Sequence, residues 1–357
     1  MDRSEVAQRF RAIADGSFRD VPLYRRLAFA IAERPPLTDF ATQLPYHALA
    51  GGLVFSTLHY LVLAEVDAEF SASWRQEEQT PAAIDDLELR FERFVLNHAS
   101  SITALVDRHP GAQLNEVNRC AYLMPALATV AESRSRALAL LEIGASAGLL
   151  LNFDRYSYRY GDSSFGPRSA VSIQSENRSQ PPHLNMPDVR WRLGVDRHPV
   201  DVNDHHAALW LLASVYPGDT TRAARLSAAI AEAREHPPPV VTGQAADVET
   251  FGHRSPQDLS LTITTTALLM YLDPAARLEF RRSIDQLAET RSVDWLICEP
   301  PAVLASLGSD VGDLVAPYVD RSDFVGPLIH VASDREAPNL LALTGPHARW
   351  IDWLGAP

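Results

Sequence analysis

Cysteine is scarce: the 357 residues include two, Cys120 and Cys298, far apart and in apolar surroundings. That excludes a disulfide framework and a cysteine-based zinc site, and a reducing cytoplasm is the expected compartment. Long hydrophobic runs are also missing. The longest, Ala48 to Val66, is broken by Ser56, Thr57, His59 and Glu65, so it reads as a buried helix rather than a membrane span. The N-terminal MDRSEVAQRF has no apolar signal core. Basic charge is in deficit, with 32 Lys and Arg against 45 Asp and Glu and a formal net charge of −13. Such a surface repels a phosphate backbone, so neither nucleic acid nor a membrane is an expected partner.

What is present is an ordinary globular balance, 46% hydrophobic and 22% charged, in a chain long enough for two structural units. Residues 1–135 read as a helical N-terminal cap domain. Apolar residues recur at helical spacing in Val6–Phe10–Ile13, in Leu87–Phe91–Phe94–Val95 and from Leu114 to Val130. Pro35-Pro36 and Pro110-Gly111 punctuate these blocks.

The pattern changes at Ala137. ALALLEI (137–143), VVTG (240–243), the β-branched run LSLTITTTALLMYL (259–272), VDWLICEPP (293–301) and two runs near the end, DFVGPLIHVAS and NLLALTGPH, read as strands separated by helical segments. Thr220 or Thr221 can cap one such helix, with Leu226, Ile230 and Ala233 as its stripe, and another is capped by Asp273-Pro274 with Phe280, Ile284 and Leu287 on one face. Strands alternating with helices predict an α/β domain over 136–357 with a doubly wound, largely parallel sheet. The final two strands, lacking a helix-length link, predict an antiparallel hairpin. The polar, proline-rich stretch 163–190 reads as an insertion.

The turn LLEIGASAGLLL (140–151) carries most of the chemistry. It lacks the third glycine of a dinucleotide fingerprint and the Gly-Lys-Ser/Thr of a phosphate loop. Gly144-Ala145-Ser146-Ala147-Gly148 does fit the nucleophile elbow of a serine hydrolase, with Ser146 as nucleophile and Asp294 with His330 or His347 to complete a triad. Against this, the segment upstream is helical where a hydrolase needs strands. The same residues fit the glycine loop of class I methyltransferases: Glu142, then Gly144, Ser146 and Gly148, with serine at the middle glycine. Small residues there, Ala145 included, let the backbone approach S-adenosylmethionine (SAM), and the N-terminus of a following helix offers free N–H groups.

The segments LNEVNRC (114–120), the 140–161 stretch, RLGVDRHPVDV (192–202), VVTGQAADV (240–248) and CEPP (298–301) together resemble an uncharacterised bacterial family, domain of unknown function 2332. The resemblance spans almost the whole chain. It implies a helical N-terminal region joined to a Rossmann-like, class I methyltransferase-type domain, and names no substrate. Family members tend to carry Gly-Asp-Ala where this chain has Gly243-Gln244-Ala245, and His-Ser where it has Thr265-Thr266. Both departures bear on affinity and activity.

Further candidates follow from position. Asp162 or Asp196 would hold ribose hydroxyls after the glycine loop. Gln244 follows a strand where an adenine edge would bind, its amide supplying both donor and acceptor, or else it caps a turn. Asn115, Glu116 and Arg119 are expected on one helix, with Glu116 and Arg119 side by side as a clamp or a substrate contact. Glu299, at a strand end, is a candidate base. Asp196, His198, Asp201, Asp204, His205 and His206 match no zinc spacing, so no metal is expected and His205-His206 should open a helix. The expectation is a SAM-dependent enzyme acting on a small molecule, with Glu142, Gly144, Ala145, Ser146, Gly148, Asp162, Asp196 and Gln244 toward the cofactor. Glu116, Arg119 and Glu299 would face the substrate. A serine hydrolase and a non-catalytic ligand-binding protein of the same fold are the alternatives.

Overall fold

A computed structural model describes the chain except residues 51, 110–114, 182–183, 321–324 and 355–357. The breaker Pro110-Gly111 and the helix start at Leu114 therefore lie outside the described residues. Two compact units are present: Met1–Leu114 with Asn203–Ala224, and Asn115–Val202 with Arg225–Pro357. The division falls earlier than the expected boundary at 135. The helix Cys120–Arg134, buried along most of its length, belongs to the second unit, and 203–224 return to the first.

The first unit is helical, as its periodicity predicts. Its first helix, Arg3–Asp15, opens with a reciprocal cap: the Glu5 N–H donates to Asp2 Oδ1 at 2.9 Å and the Asp2 N–H to Glu5 Oε2 at 3.0 Å. Helix Gly52–Leu63 is buried on nearly every side, which accounts for its apolar run. Among the described residues, no helix is long and apolar enough to cross a membrane. Phe18, Tyr24, Phe55 and Trp74 form an aromatic centre, with Phe18 against Phe55 at 4.7 Å. His205–Ala213 is a helix capped by Asp204, as the His205-His206 reading anticipated.

Among the described residues, the second unit is built on one sheet of eleven strands. They are β1 Leu138–Ile143, β2 Ser157–Tyr160, β3 Ser163–Phe165, β4 Ser172–Asn177, β5 Val189–Asp196, β6 Val240–Thr242, β7 Ser260–Thr266, β8 Val293–Cys298, β9 Gly326–Ala332, β10 Asn339–Thr344 and β11 Trp350–Trp353. Their order is β3-β2-β4-β11-β10-β9-β8-β7-β1-β5-β6. The run β6-β5-β1-β7-β8 is parallel throughout. Strands β1, β7 and β8 are buried at every position, the mark of a sheet covered on both faces. The expected hairpin is present as β9 and β10, antiparallel, with β9 also antiparallel to β8. Helix Pro274–Ala288 is capped by Asp273 and buries Phe280, Ile284 and Leu287.

Two expectations are corrected. The stretch 163–190 is no mere insertion, because β3 and β4 extend the sheet and β4 pairs with β11 from the far end of the chain. The alternation of β2 and β4 is short and mostly polar: Tyr158, Tyr160 and Ile173 are buried while Arg159 and Gln174 are exposed. The helix expected after the glycine loop is a 3-10 stretch, Leu149–Arg155, broken at Asn152. Tyrosine hydroxyls end it: Tyr156 donates to the Leu149 carbonyl and Tyr158 to the Phe153 carbonyl, both at 2.6 Å. These bonds occupy carbonyls that a continuing helix would use.

Candidate active site at the strand-order reversal

Strand β1 has β5 on one side and β7 on the other, so strand order reverses at β1. Open α/β sheets form ligand crevices beyond the carboxyl ends of strands at such a point. The loop leaving β1 there takes left-handed backbone at Gly144 (φ 81°), Ser146 (φ 52°) and Gly148 (φ 69°). Two of these are glycines, which reach that region without penalty; Ser146 is not. A Cβ on Gly148 would meet Val240 Cγ2 at 2.6 Å and Pro238 Cγ at 2.8 Å. Packing of loop against strand thus demands that glycine as much as a ligand would.

The loop is tied to β5 by hydrogen bonds. Val195 accepts the N–H of Gly144 at 2.8 Å, and Asp196 Oδ2 accepts that of Ser146 at 2.7 Å. Asp196 Oδ1 accepts the His198 N–H at 2.8 Å. Ser146 Oγ accepts from the Asn115 amide at 2.6 Å. Asp196 is therefore the acid beside the loop. Asp162 is not: it sits exposed in the β2–β3 turn, on a strand pair that six strands separate from β1 in sheet order.

Glu142 is the penultimate residue of β1 and Glu299 follows β8, 5% and 2% exposed respectively. Each has an Oε2 that is buried and without a hydrogen-bond partner. Burial pushes Glu142 up to about 8, with the Arg119 charge pulling it back and Asp196 adding to the rise. Burial likewise lifts Glu299 to about 7, against the backbone N–H groups of Leu269 and Leu268 and the charge of Arg119. Those amides donate to Glu299 Oε1 at 2.8 and 2.6 Å. Between the two glutamates in strand order lies the end of β7, where Arg119 donates from Nη1 to the Thr266 carbonyl at 2.9 Å.

The family described as "Uncharacterized protein conserved in bacteria (DUF2332)" matches residues 7–353. The chain belongs to that family. No curated protein matches it. Of the segments that carry the family resemblance, the 140–161 stretch supplies the loop and Glu142, 192–202 supplies Asp196, and CEPP supplies Glu299.

Other expected members are placed differently. Glu116 and Arg119 do not share a helix. Asn115 and Glu116 precede a 3-10 turn, Val117–Arg119, that Glu116 caps by accepting the Asn118 N–H at 3.0 Å. Glu116 is an internal anchor, 3.4 Å from Arg225 and 3.5 Å from His347, while Arg119 reaches Thr266 instead. Asn118 explains the local geometry: buried, it donates to the Gln174 and Ala348 carbonyls and accepts the Gln174 N–H. Gln244 is exposed and exchanges capping bonds with Asp247, the turn-capping role. Thr265 accepts from the buried Trp295 indole at 3.0 Å and is a packing residue.

The hydrolase triad does not assemble from its proposed parts. Asp294 and His330 do pair, at 2.8 Å, but Asp294 aligns with Thr262, which itself aligns with Leu140 near the start of β1. Ser146 lies past the other end of that strand and its hydroxyl meets an asparagine. Sequence reading missed the Leu268–Leu269 amides that seat Glu299. The signal was faint: Ala267, with φ 52°, marks a forced turn that no residue type announces.

Proposed function

We propose that the protein is a SAM-dependent methyltransferase of Rossmann-like, class I type acting on a small molecule. One observation supports this above the others: Asp196, at the end of β5, holds the left-handed loop that leaves β1, at the strand-order reversal. A nucleoside that lies across this crevice finds a carboxylate for its ribose hydroxyls beside a loop of small residues. The chain fits such a group in a second respect. Glu142 offers a buried, unpartnered oxygen at the same strand end, suited to a cationic or hydroxyl donor.

SAM would supply a methyl carbon made electrophilic by its sulfonium. The residues of this chain would bind and align. Asp196 and the backbone of 144–148 would hold the nucleoside, Glu142 would face its charged end, and Glu299 would stand on the β8 side where a proton-bearing acceptor could be received. Ser146 serves this reading as a brace, with N–H, carbonyl and hydroxyl bonded to Asp196, Val200 and Asn115.

Calorimetry with SAM and with S-adenosylhomocysteine tests the proposal. Saturable binding of both is expected, weakened about tenfold or more in Asp196→Ala by loss of a charge-assisted contact. Absence of binding by either compound to the folded wild-type chain overturns it.

A further inference from the structure

Beside the strand-order reversal, at the end of β7 and after β8, stand Arg119 and Glu299, two groups on the far side of β1 from Asp196. We propose that this pair binds a zwitterionic small molecule, its ammonium group on Glu299 and its carboxylate on Arg119, so that the methyl acceptor is amino-acid-like. This deepens the transferase reading and rests on it.

Glu299 is 2% exposed; its Oε1 is saturated by two backbone N–H groups, whereas Oε2 is buried with no partner. An orphaned carboxylate oxygen in such a place costs free energy unless a donor arrives. Arg119 is half-buried, and one of its nitrogens bonds to Thr266. Its Nε and Nη2 find no acceptor among the described residues, and it hydrogen-bonds to neither glutamate. A guanidinium with two adjacent free N–H edges is the preferred partner of a carboxylate, which it grips in a fork.

Charge balance then selects the ligand. A ligand with a single positive end would satisfy Glu299 and leave Arg119 idle; one with a single negative end would do the reverse. A zwitterion supplies both signs at once and leaves the net charge of the half-buried cluster unchanged, which limits the desolvation penalty. Tyr271, in the turn that follows Leu268, is 61% exposed and adds an aromatic face to the same segment.

The test is calorimetric titration of the full chain with the free L-amino acids, each also offered N-acetylated and as the C-terminal amide, with and without S-adenosylhomocysteine. At least one free amino acid is expected to bind, and either cap to weaken it about tenfold or more. In Glu299→Gln the N-acetyl form should no longer be weaker than the free one, and in Arg119→Lys the amide penalty should shrink. Both readouts compare ligands on one protein and so survive a partial loss of stability. Binding of no free amino acid, or indifference to both caps, overturns the inference. If S-adenosylhomocysteine binds and no amino acid does, the transferase reading stands and this inference falls. If cap-sensitive amino acids bind and S-adenosylhomocysteine does not, the zwitterion site stands and the transferase reading falls.

Discussion

The backbone N–H of Ser146 donates to Asp196 at 2.7 Å while Ser146 itself holds φ at 52°. A serine there is strained by roughly 1–2 kcal/mol relative to right-handed backbone. Two bonds offset that strain, the one to Asp196 and the 2.6 Å bond that Ser146 Oγ accepts from Asn115. The loop is thus clamped from two sides, by β5 and by the segment that precedes helix Cys120–Arg134.

Asp196→Asn should lower stability by about 1–3 kcal/mol, because an amide cannot accept both N–H groups and leaves one half-buried donor unpaired. Ser146→Ala keeps the strain and loses the hydroxyl, at about 1 kcal/mol. Ser146→Gly loses the hydroxyl but sheds the strain and should be close to neutral. Urea denaturation ranks the three. If Ser146→Gly proves as costly as Asp196→Asn, the clamp is misread.

Glu142 and Glu299 predict a pH dependence of unusual sign. Their folded values, about 8 and about 7, lie above the ordinary 4.5, so between these limits the folded protein holds protons that the unfolded chain has released. Stability from this source is complete below pH 4.5 and declines as pH rises through 7 to 8. Denaturation midpoints measured from about pH 5 to about pH 9 should fall, and Glu142→Gln should flatten the fall. A wild-type profile that is level across that window contradicts the burial argument for both groups.

The opposite sign belongs to Asp294. It is fully buried, which disfavours its charge, yet hydrogen bonds from His330 and Arg134 outweigh that penalty and hold its carboxyl below the usual 3.8. Arg134 meets it with two nitrogens, each at 2.8 Å, and also meets Asp334. This contribution is present above pH 3.8 and disappears as pH falls through the lowered value. Asp294→Ala leaves the partly buried Arg134 with Asp334 alone and the buried His330 without its carboxylate, and should cost about 1–3 kcal/mol. Since Asp294 lies toward the other end of the sheet, S-adenosylhomocysteine affinity of the folded variant should stay within about twofold of wild type. A cost under about 1 kcal/mol on chemical denaturation would show that Arg134 and His330 find other partners.

What the sequence made legible follows from how local the cause is. Strands β1, β7 and β8 announce themselves because burial on both faces writes a continuous apolar run into a few residues. Asp273 announces its helix because a cap acts within one turn. By contrast β4 depends on β11, far along the chain, and SYRY and SIQSEN each carry only two buried side chains to advertise their strands. The site divides the same way. Glu142 and the loop were readable as a contiguous motif, and Asp196 as a strand-end acid, although Asp162 competed until strand order separated them. Arg119 meets Thr266 across 147 positions, so helical spacing wrongly offered Glu116 as its neighbour.

Two glycines in the same backbone region separate conformation from packing. Gly161, in the β2–β3 turn, has φ 61° and open space where a Cβ would stand, whereas Gly148 has φ 69° and two side-chain carbons within 2.8 Å of that point. Gly161→Ala should therefore cost only the left-handed penalty, roughly 1–2 kcal/mol. Gly148→Ala adds the displacement of Val240 and Pro238, for a total of about 2–5 kcal/mol. Because Val240 begins β6 and that strand pairs with β5, the push reaches the strand that carries Asp196. Gly148→Ala should then also weaken S-adenosylhomocysteine, by about tenfold, while Gly161→Ala leaves it alone. Equal costs for the two variants by denaturation would mean that β6 yields freely. The link from the loop through packing to Asp196 would then be lost.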